Sequence, residues 1–437
     1  MGNELFKFLE VANDIFWSYI GFIVICCAGI YFTVKSKGFQ FKVLGNFKKN
    51  IKDLIEENKN SDNIGISPFK LYFASVGGMV GMGNIVLISA AIMIGGPGSI
   101  LWIWVASLCG MLLKYSEIYL GIKYRVRNAN GGYDGGPMFY LSKAFQGKTI
   151  PCLFAFILCI YGVEIYQFSV LTHYLEDTFS VNRSIVILAL LSLAFYTVIG
   201  GIRRLSDICS VMMPIFMVGY AIICFTIIFL EFDHLPRHLA LVLETAFTGQ
   251  AKIGGFAGST MLLAAYMGIS KAVYSGDIGV GYDSVVQSET RIANPKKQAQ
   301  IAIYALFTDT FICTLTTMVI LVSGGWYKLN HLEDAQIIPT ILSNYFNFPY
   351  TQYFMAILLF FAGFTTIIAF YTVGLKSAKF LSPKYGKYVY IAYSFFAFIY
   401  FANSSHAQAG LIMGLASGLL LIINVVGMLK LRNQIEF

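Results

Sequence analysis

Residues 76–85 read Val-Gly-Gly-Met-Val-Gly-Met-Gly-Asn-Ile and lie inside an apolar stretch long enough to cross a bilayer. Gly77, Gly78, Gly81 and Gly83, followed by Asn84, make poor helix, because each glycine costs about 1 kcal/mol relative to alanine in a helix interior. In lipid such an interruption is tolerated where the freed backbone groups face a cavity or another polar group. Amides at a half-helix N-terminus favour a carboxylate, and carbonyls at a half-helix C-terminus favour a cation. The chemistry on offer is therefore binding of a charged solute or ion by a transporter, and Gly83 and Asn84 are candidate substrate contacts. A second glycine-dense segment, Gly254-Gly255-Phe256-Ala257-Gly258, offers the same chemistry. Both segments also suit close helix packing through small residues.

Ionisable residues inside apolar segments are expensive and mark functional positions by default. Glu164 precedes Gln167 by three residues and so shares its helix face. A carboxylate there, neutral through burial, would titrate with substrate and couple transport to protons; pairing with a cation or exposure to water is the plainer role. Lys271 and Asp277 are candidates for an inner gate closed by a salt bridge. Lys114 and Glu117 stand near a helix end, where snorkelling or pairing is expected. No His-Glu-x-x-His, Gly-x-Ser-x-Gly or phosphate-cradling loop is present, which argues against an enzyme and against an ATP-driven pump. Filter loops and rings of pore-lining charge, which a channel would need, are likewise missing.

These residues must be positioned by membrane helices. The chain has 437 residues, 57% hydrophobic and 12% charged, against about 25% charged in soluble domains. Its eight cysteines lie mostly within apolar runs and show no metal-ligand spacing, so they read as small packing residues. The first apolar run, Phe16–Val34, follows Glu4, Glu10 and Asp14, so it reads as a span and not as a cleaved leader. A 19-residue window gives eleven spans, near 15–34, 69–94, 98–123, 150–175, 184–200, 208–230, 252–275, 298–323, 351–374, 387–403 and 408–430. Basic loops (around Lys35–Lys52, Arg125–Lys148, Arg203–Arg204, Arg291–Lys297, Lys376–Lys387 and Lys430–Arg432) alternate with short or acidic ones. The positive-inside rule then puts the N-terminus outside and the C-terminus in the cytoplasm. The net charge of +8 is thus a topological signal, with no basic patch suited to nucleic acid.

Without the first span, ten remain, and the two glycine breaks sit five spans apart, in helices of opposite direction. An inverted five-plus-five repeat with a midplane site would require that arrangement, although glycine is common in membrane helices generally. The expected architecture is one all-α transmembrane domain over 1–437: helix and linker at 15–66, first repeat at 67–230, second at 231–437.

The motifs carry a resemblance. Gly81-Met82-Gly83-Asn84-Ile85, Gly95-Gly96-Pro97-Gly98 and Trp102-Ile103-Trp104 stand in order. Gly110-Met111, Lys114, Glu117, Lys123-Tyr124-Arg125, Gly135-Gly136-Pro137-Met138 and Gly254–Gly258 follow, and then Phe307, Asp309, Thr310, Cys313 and Thr314. In this set the chain resembles the alanine or glycine:cation symporter family of the amino acid–polyamine–organocation superfamily, over nearly its whole length. The resemblance implies a fold of the leucine-transporter type. It implies a secondary active transporter in a prokaryotic plasma membrane, importing a small neutral amino acid, alanine or glycine first, coupled to sodium. A proton-coupled or broader neutral amino acid carrier is the alternative. No other cofactor is implied, and the partners are the amino acid, sodium and the lipid bilayer.

The resemblance also assigns residues. Gln167 corresponds to a family glutamine near the substrate, an interhelical hydrogen bond being its plainer role. Thr365 and Thr366 match a Ser-Thr pair that ligates sodium together with backbone around Gly77–Val80, although such threonines often bond only their own helix. Three departures stand out. Met82 replaces a threonine, Phe370 a tryptophan, and Lys271–Gly279 diverges from the family's Arg-Gly-x-Phe-Ser-Asn-Glu-Ala-Gly. Met82 and Phe370 together imply a reshaped pocket.

Overall fold

Backbone amides and carbonyls in lipid must be satisfied within the segment, so an apolar chain of this kind folds as helices. The computed structural model describes residues 2–60, 64–128, 131–248, 261–346, 350–404 and 406–437. Helices α1 (Gly2–Ile15) and α2 (Phe22–Lys35) run together through a π-helical turn at Phe16–Gly21, and α3 (Phe39–Gly45) and α4 (Phe47–Asn60) follow. Then come α5 (Pro68–Met79), a 3₁₀ turn at Met82–Asn84, α6 (Val86–Gly95), α7 (Ser99–Lys123) and α8 (Pro137–Ala144). Between α7 and α8, strands β1 (Val126–Arg127) and β2 (Tyr133–Asp134) pair antiparallel, Val126 opposite Asp134. The next helices are α9 (Thr149–Tyr161), α10 (Ile165–Phe179), α11 (Arg183–Ile199), α12 (Gly201–Leu230), α13 (Leu235–Thr248), α14 (Met261–Gly276) and α15 (Tyr282–Gln287). The chain ends with α16 (Pro295–Val322), α17 (Gly325–Lys328), α18 (Asp334–Tyr345), α19 (Thr351–Leu381), α20 (Gly386–Ala402) and α21 (His406–Lys430).

Among the described residues, seven helices are long and apolar enough to cross a membrane, and α5 with α6, bent by 57°, makes an eighth. Helices also stand at two further positions expected from hydropathy, α11 and α20, each of 17 residues. At about 1.5 Å per residue they rise roughly 25 Å, short of the roughly 30 Å hydrocarbon core. The remaining expected span, 252–275, is described only from Met261 onward. The glycine segment Gly254, Gly255 and Phe256 lies outside the described residues.

Three interruptions position the interior polar groups. The first separates α5 from α6 at Val80–Gly81, where sequence analysis expects it. The second separates α14 from α15, where Asp277, Gly279 and Gly281 adopt φ of 48°, 72° and 100°. The third separates α9 from α10, where Glu164 adopts φ 53°. A non-glycine residue in that left-handed region costs about 1–2 kcal/mol. The two halves of the first interrupted helix lie against the two halves of the second, α6 on α14 and α5 on α15. Helix α7 is wedged against α14 and α16, while α19 packs on α5, α9, α10 and α12. All eight cysteines are free thiols.

Candidate functional site

At the first break, the last carbonyls of α5 lose their helical partners. The Thr366 hydroxyl of α19 lies within donating reach of two carbonyls, Gly77 O of α5 and Ala362 O one turn back, each at 3.1 Å. A Cβ added at Gly81 would stand 2.4 Å from Thr366 Oγ1, so glycine there is a condition of the close approach. Val80, the C-cap of α5, is fully buried beside them. Thr365 lies apart from this group: its hydroxyl is within reach of Phe361 O (2.8 Å), Ala362 O (3.0 Å) and Met213 Sδ (3.3 Å). Neighbours on a helix differ by about 100° in direction, so one backbone cannot aim both threonines at one carbonyl.

Asn84 is satisfied within the protein. Its Oδ1 accepts from Gly81 N at 3.0 Å, and its Nδ2 donates to Asp309 Oδ1 at 2.7 Å and lies 3.2 Å from Cys313 Sγ. Asp309 also accepts from Ser275 Oγ at 3.1 Å, so the carboxylate ties the 3₁₀ turn to α14 and α16. Gly83 faces Gln167 and Tyr274: a Cβ there would lie 3.7 Å from Gln167 Nε2 and 3.7 Å from the Tyr274 ring. Gln167 Nε2 also lies 3.4 Å from the corresponding point at Gly81. The buried Met82 packs towards Gly363 of α19. Phe370 stacks near Tyr282 (centroids 4.4 Å apart) and edge-on to Tyr161 (5.3 Å), one turn beyond Thr366.

The second break is already occupied by a cation of the protein itself. Lys114 of α7 is fully buried, and its ammonium donates to Gly276 O at 2.9 Å and Asp277 O at 3.3 Å. It pairs with Asp277 Oδ2 at 3.5 Å and Asp283 Oδ2 at 3.4 Å. An ammonium at the carbonyl end of α14 sits where the helix dipole favours positive charge. Asp283 also accepts from Ser75 Oγ of α5 at 2.6 Å, which links the two interrupted helices. One turn after Lys114, Glu117 accepts from Asn424 Nδ2 at 2.9 Å, and the same amide donates to Gly279 O at 3.0 Å. One expectation is corrected here: Asp277 pairs with Lys114 and not with Lys271, because the turn after Gly276 carries the aspartate towards α7. Of the two roles expected near this helix end, the fully buried Lys114 takes pairing and not snorkelling.

Lys271 instead lines a cavity of about 390 Å³ together with Glu10, Asp14, Tyr166 and Tyr274. Tyr274 donates to Glu164 Oε1, at the third break. Glu164 is 1% exposed. Sequence analysis names Glu164 and Gln167 but misses Tyr274, Asp283 and Asn424, which carry no signal beyond an ordinary residue in an apolar helix or turn.

At the opposite end, contacts tie the segments together around a cavity of about 570 Å³ whose lining includes Ile66, Asp134, Glu289 and Lys376. Ile66 N donates to Glu289 O at 2.8 Å and Arg291 N to Ile66 O at 3.0 Å, so the strands of chain entering α5 and leaving α15 are bridged. Lys376 of α19 pairs with Glu289 and with Asp134 (2.9 Å). Arg125 donates to the carbonyls of Ser288 (3.0 Å), Thr290 (2.6 Å) and Ile292 (3.1 Å).

Residues 3–436 match the model of the sodium:alanine symporter family. The chain belongs to that family. It is a multi-pass membrane transporter of the amino acid symporter kind, and not an enzyme. It is 28% identical over 440 residues to the uncharacterized transporter YflA of Bacillus subtilis, covering 99% of this chain and 93% of that one. It is 29% identical over 442 residues to the probable sodium/glutamine symporter GlnT of the same organism, covering 100% and 90%. Among solved structures it is similar in fold to a mutant of the Eremococcus coleocola manganese transporter, at 14% identity and a TM-score of 0.51, over 85% of this chain and 80% of that one.

Proposed function

We propose that this member of the sodium:alanine symporter family is a sodium-coupled importer of a small neutral amino acid, alanine or glycine first, working by alternating access. The observation that carries the reading is the first break, where the Thr366 hydroxyl meets the Gly77 carbonyl while Gln167 stands over Gly81 and Gly83. Sodium is cargo, held by the carbonyls around Gly77 and Val80 with Thr366; Thr365 supports the helix beside it. The substrate occupies the space bounded by Gly81, Gly83, Gln167 and Tyr274. Its carboxylate is met by backbone amides at the start of α6, as the helix dipole favours. Asn84 acts behind this site, holding the turn against Asp309. The interrupted helices α5–α6 and α14–α15 are corresponding elements of two inverted repeats, with the first two helices outside them. Because one relative is named for glutamine, side chains larger than methyl belong in any test.

The basic end is cytoplasmic, and the 390 Å³ cavity at the other end is the external vestibule. The direct test is binding by purified protein with and without sodium. Sodium should tighten alanine or glutamine at least tenfold, and Thr366→Ala should remove that gain while substrate still binds weakly. Binding indifferent to sodium in the unmodified protein contradicts the reading.

A further inference from the structure

Two buried acceptors on adjacent turns of one helix lack donors. Glu164 Oε1 takes the Tyr274 hydroxyl, but Oε2 has no hydrogen-bond partner, and neither does Gln167 Oε1. Glu164 is 1% exposed and Gln167 3%. No lysine, arginine or histidine forms an ion pair with Glu164 among the described residues; Asp277, the neighbouring charge across from it, is itself an acid held by Lys114. A carboxylate taken out of water without a countercharge is costly, and an orphaned amide oxygen adds to that cost. Glu164 reaches this position through a left-handed backbone conformation that most side chains avoid. The same Tyr274 ring flanks the Gly83 position and lines the vestibule, whose walls add Glu10 and Asp14 against the single cation Lys271.

We infer that Glu164, with Gln167, recognises the side chain of the transported amino acid, and that this side chain carries N–H donors. The inference rests on the central-site reading above but replaces alanine and glycine as its first substrates. The carbonyl end of α5 already offers acceptors for an α-ammonium, so two further acceptors call for further donors. Alanine and glycine have none beyond the α-ammonium and would leave both oxygens bare. A carboxamide supplies two N–H groups and a side-chain ammonium three, so either chemistry fits. Tyr274 covers Glu164 until the ligand arrives.

The test is competition binding on the purified full chain with alanine, asparagine, glutamine, ornithine and lysine, in sodium. The expected result is that one carboxamide or one ammonium ligand binds at least tenfold tighter than alanine. Glu164→Gln should cut that ratio at least tenfold for an ammonium ligand and less for a carboxamide, which separates the two. Tyr274→Phe, a second variant that leaves Glu164 intact, should raise the ratio by removing the competing donor. A preference for alanine or glycine in the unmodified protein overturns the inference while leaving the central site standing. So does a Glu164→Gln variant that loses only pH dependence and keeps its ligand ranking, which would mark a proton carrier. Failure of every amino acid to bind overturns the central-site reading too.

Discussion

Thr366 and Gly81 approach closely at the first break, and each can be tested alone. Gly81→Ala puts a methyl 2.4 Å from Thr366 Oγ1. A clash of that size moves the helix or the turn, so sodium-dependent binding should fall at least tenfold while the protein still purifies as a folded species. Equal sodium dependence in the variant would show that the Gly77–Thr366 contact is only packing. Lys114 is a different case, because its loss would leave Asp277 and Asp283 buried without a countercharge. Lys114→Met should cost about 3–5 kcal/mol of stability, read as a lowered melting temperature in detergent. Lys114→Met combined with Asp277→Asn should recover part of that loss, since the uncompensated charge is then smaller. No recovery would mean that the pair does not carry the effect.

Element by element, the sequence reveals the first interruption more clearly than the second. Four glycines and an asparagine within eight residues of an apolar run cannot be mistaken, and the chain does break at Val80–Gly81. The second interruption falls at Asp277–Gly281, in Ser-Gly-Asp-Ile-Gly-Val-Gly. Its three glycines were in view, but their role shows only in φ values that a side chain resists. The third break has a single glycine, Gly162, and Glu164 takes the strained conformation itself, so composition gives little warning. The Lys114 network could not be read because its partners lie far apart along the chain, 163 residues from Lys114 to Asp277 and 307 from Glu117 to Asn424. Helix count differs for a simpler reason: the spans expected near 184–200 and 387–403 are the helices α11 and α20, whose 17 residues each rise less than the full hydrocarbon core. The ion pairs of Lys376 make an element-scale prediction. Lys376→Gln removes the clamp from α19 to Glu289 and Asp134. Labelling of the buried Cys209, which lies against Gly77, by a polar thiol reagent applied from the basic side should then rise several-fold. Unchanged labelling would place the barrier elsewhere.

At the scale of the whole molecule, the basic segments that hydropathy assigned to one side do meet in space. Lys35 reaches Arg432 O, Lys123 reaches Gln434 O, Lys296 reaches Phe437 O and Lys297 pairs with Glu57. The C-terminal residues thus collect lysines from loops far apart in sequence on one end, while the cavity with Glu10, Asp14 and Lys271 opens at the other. In an alternating-access cycle, coupling requires that the bound ion bias which end of the carrier is open. The measurement that tests this most directly is uptake of radiolabelled alanine and glutamine into proteoliposomes, with either a sodium or a proton gradient imposed. The account predicts accumulation above equilibrium with the inward sodium gradient, saturating with substrate and abolished in Thr366→Ala. Accumulation driven by protons alone, or no accumulation under either gradient, would contradict it.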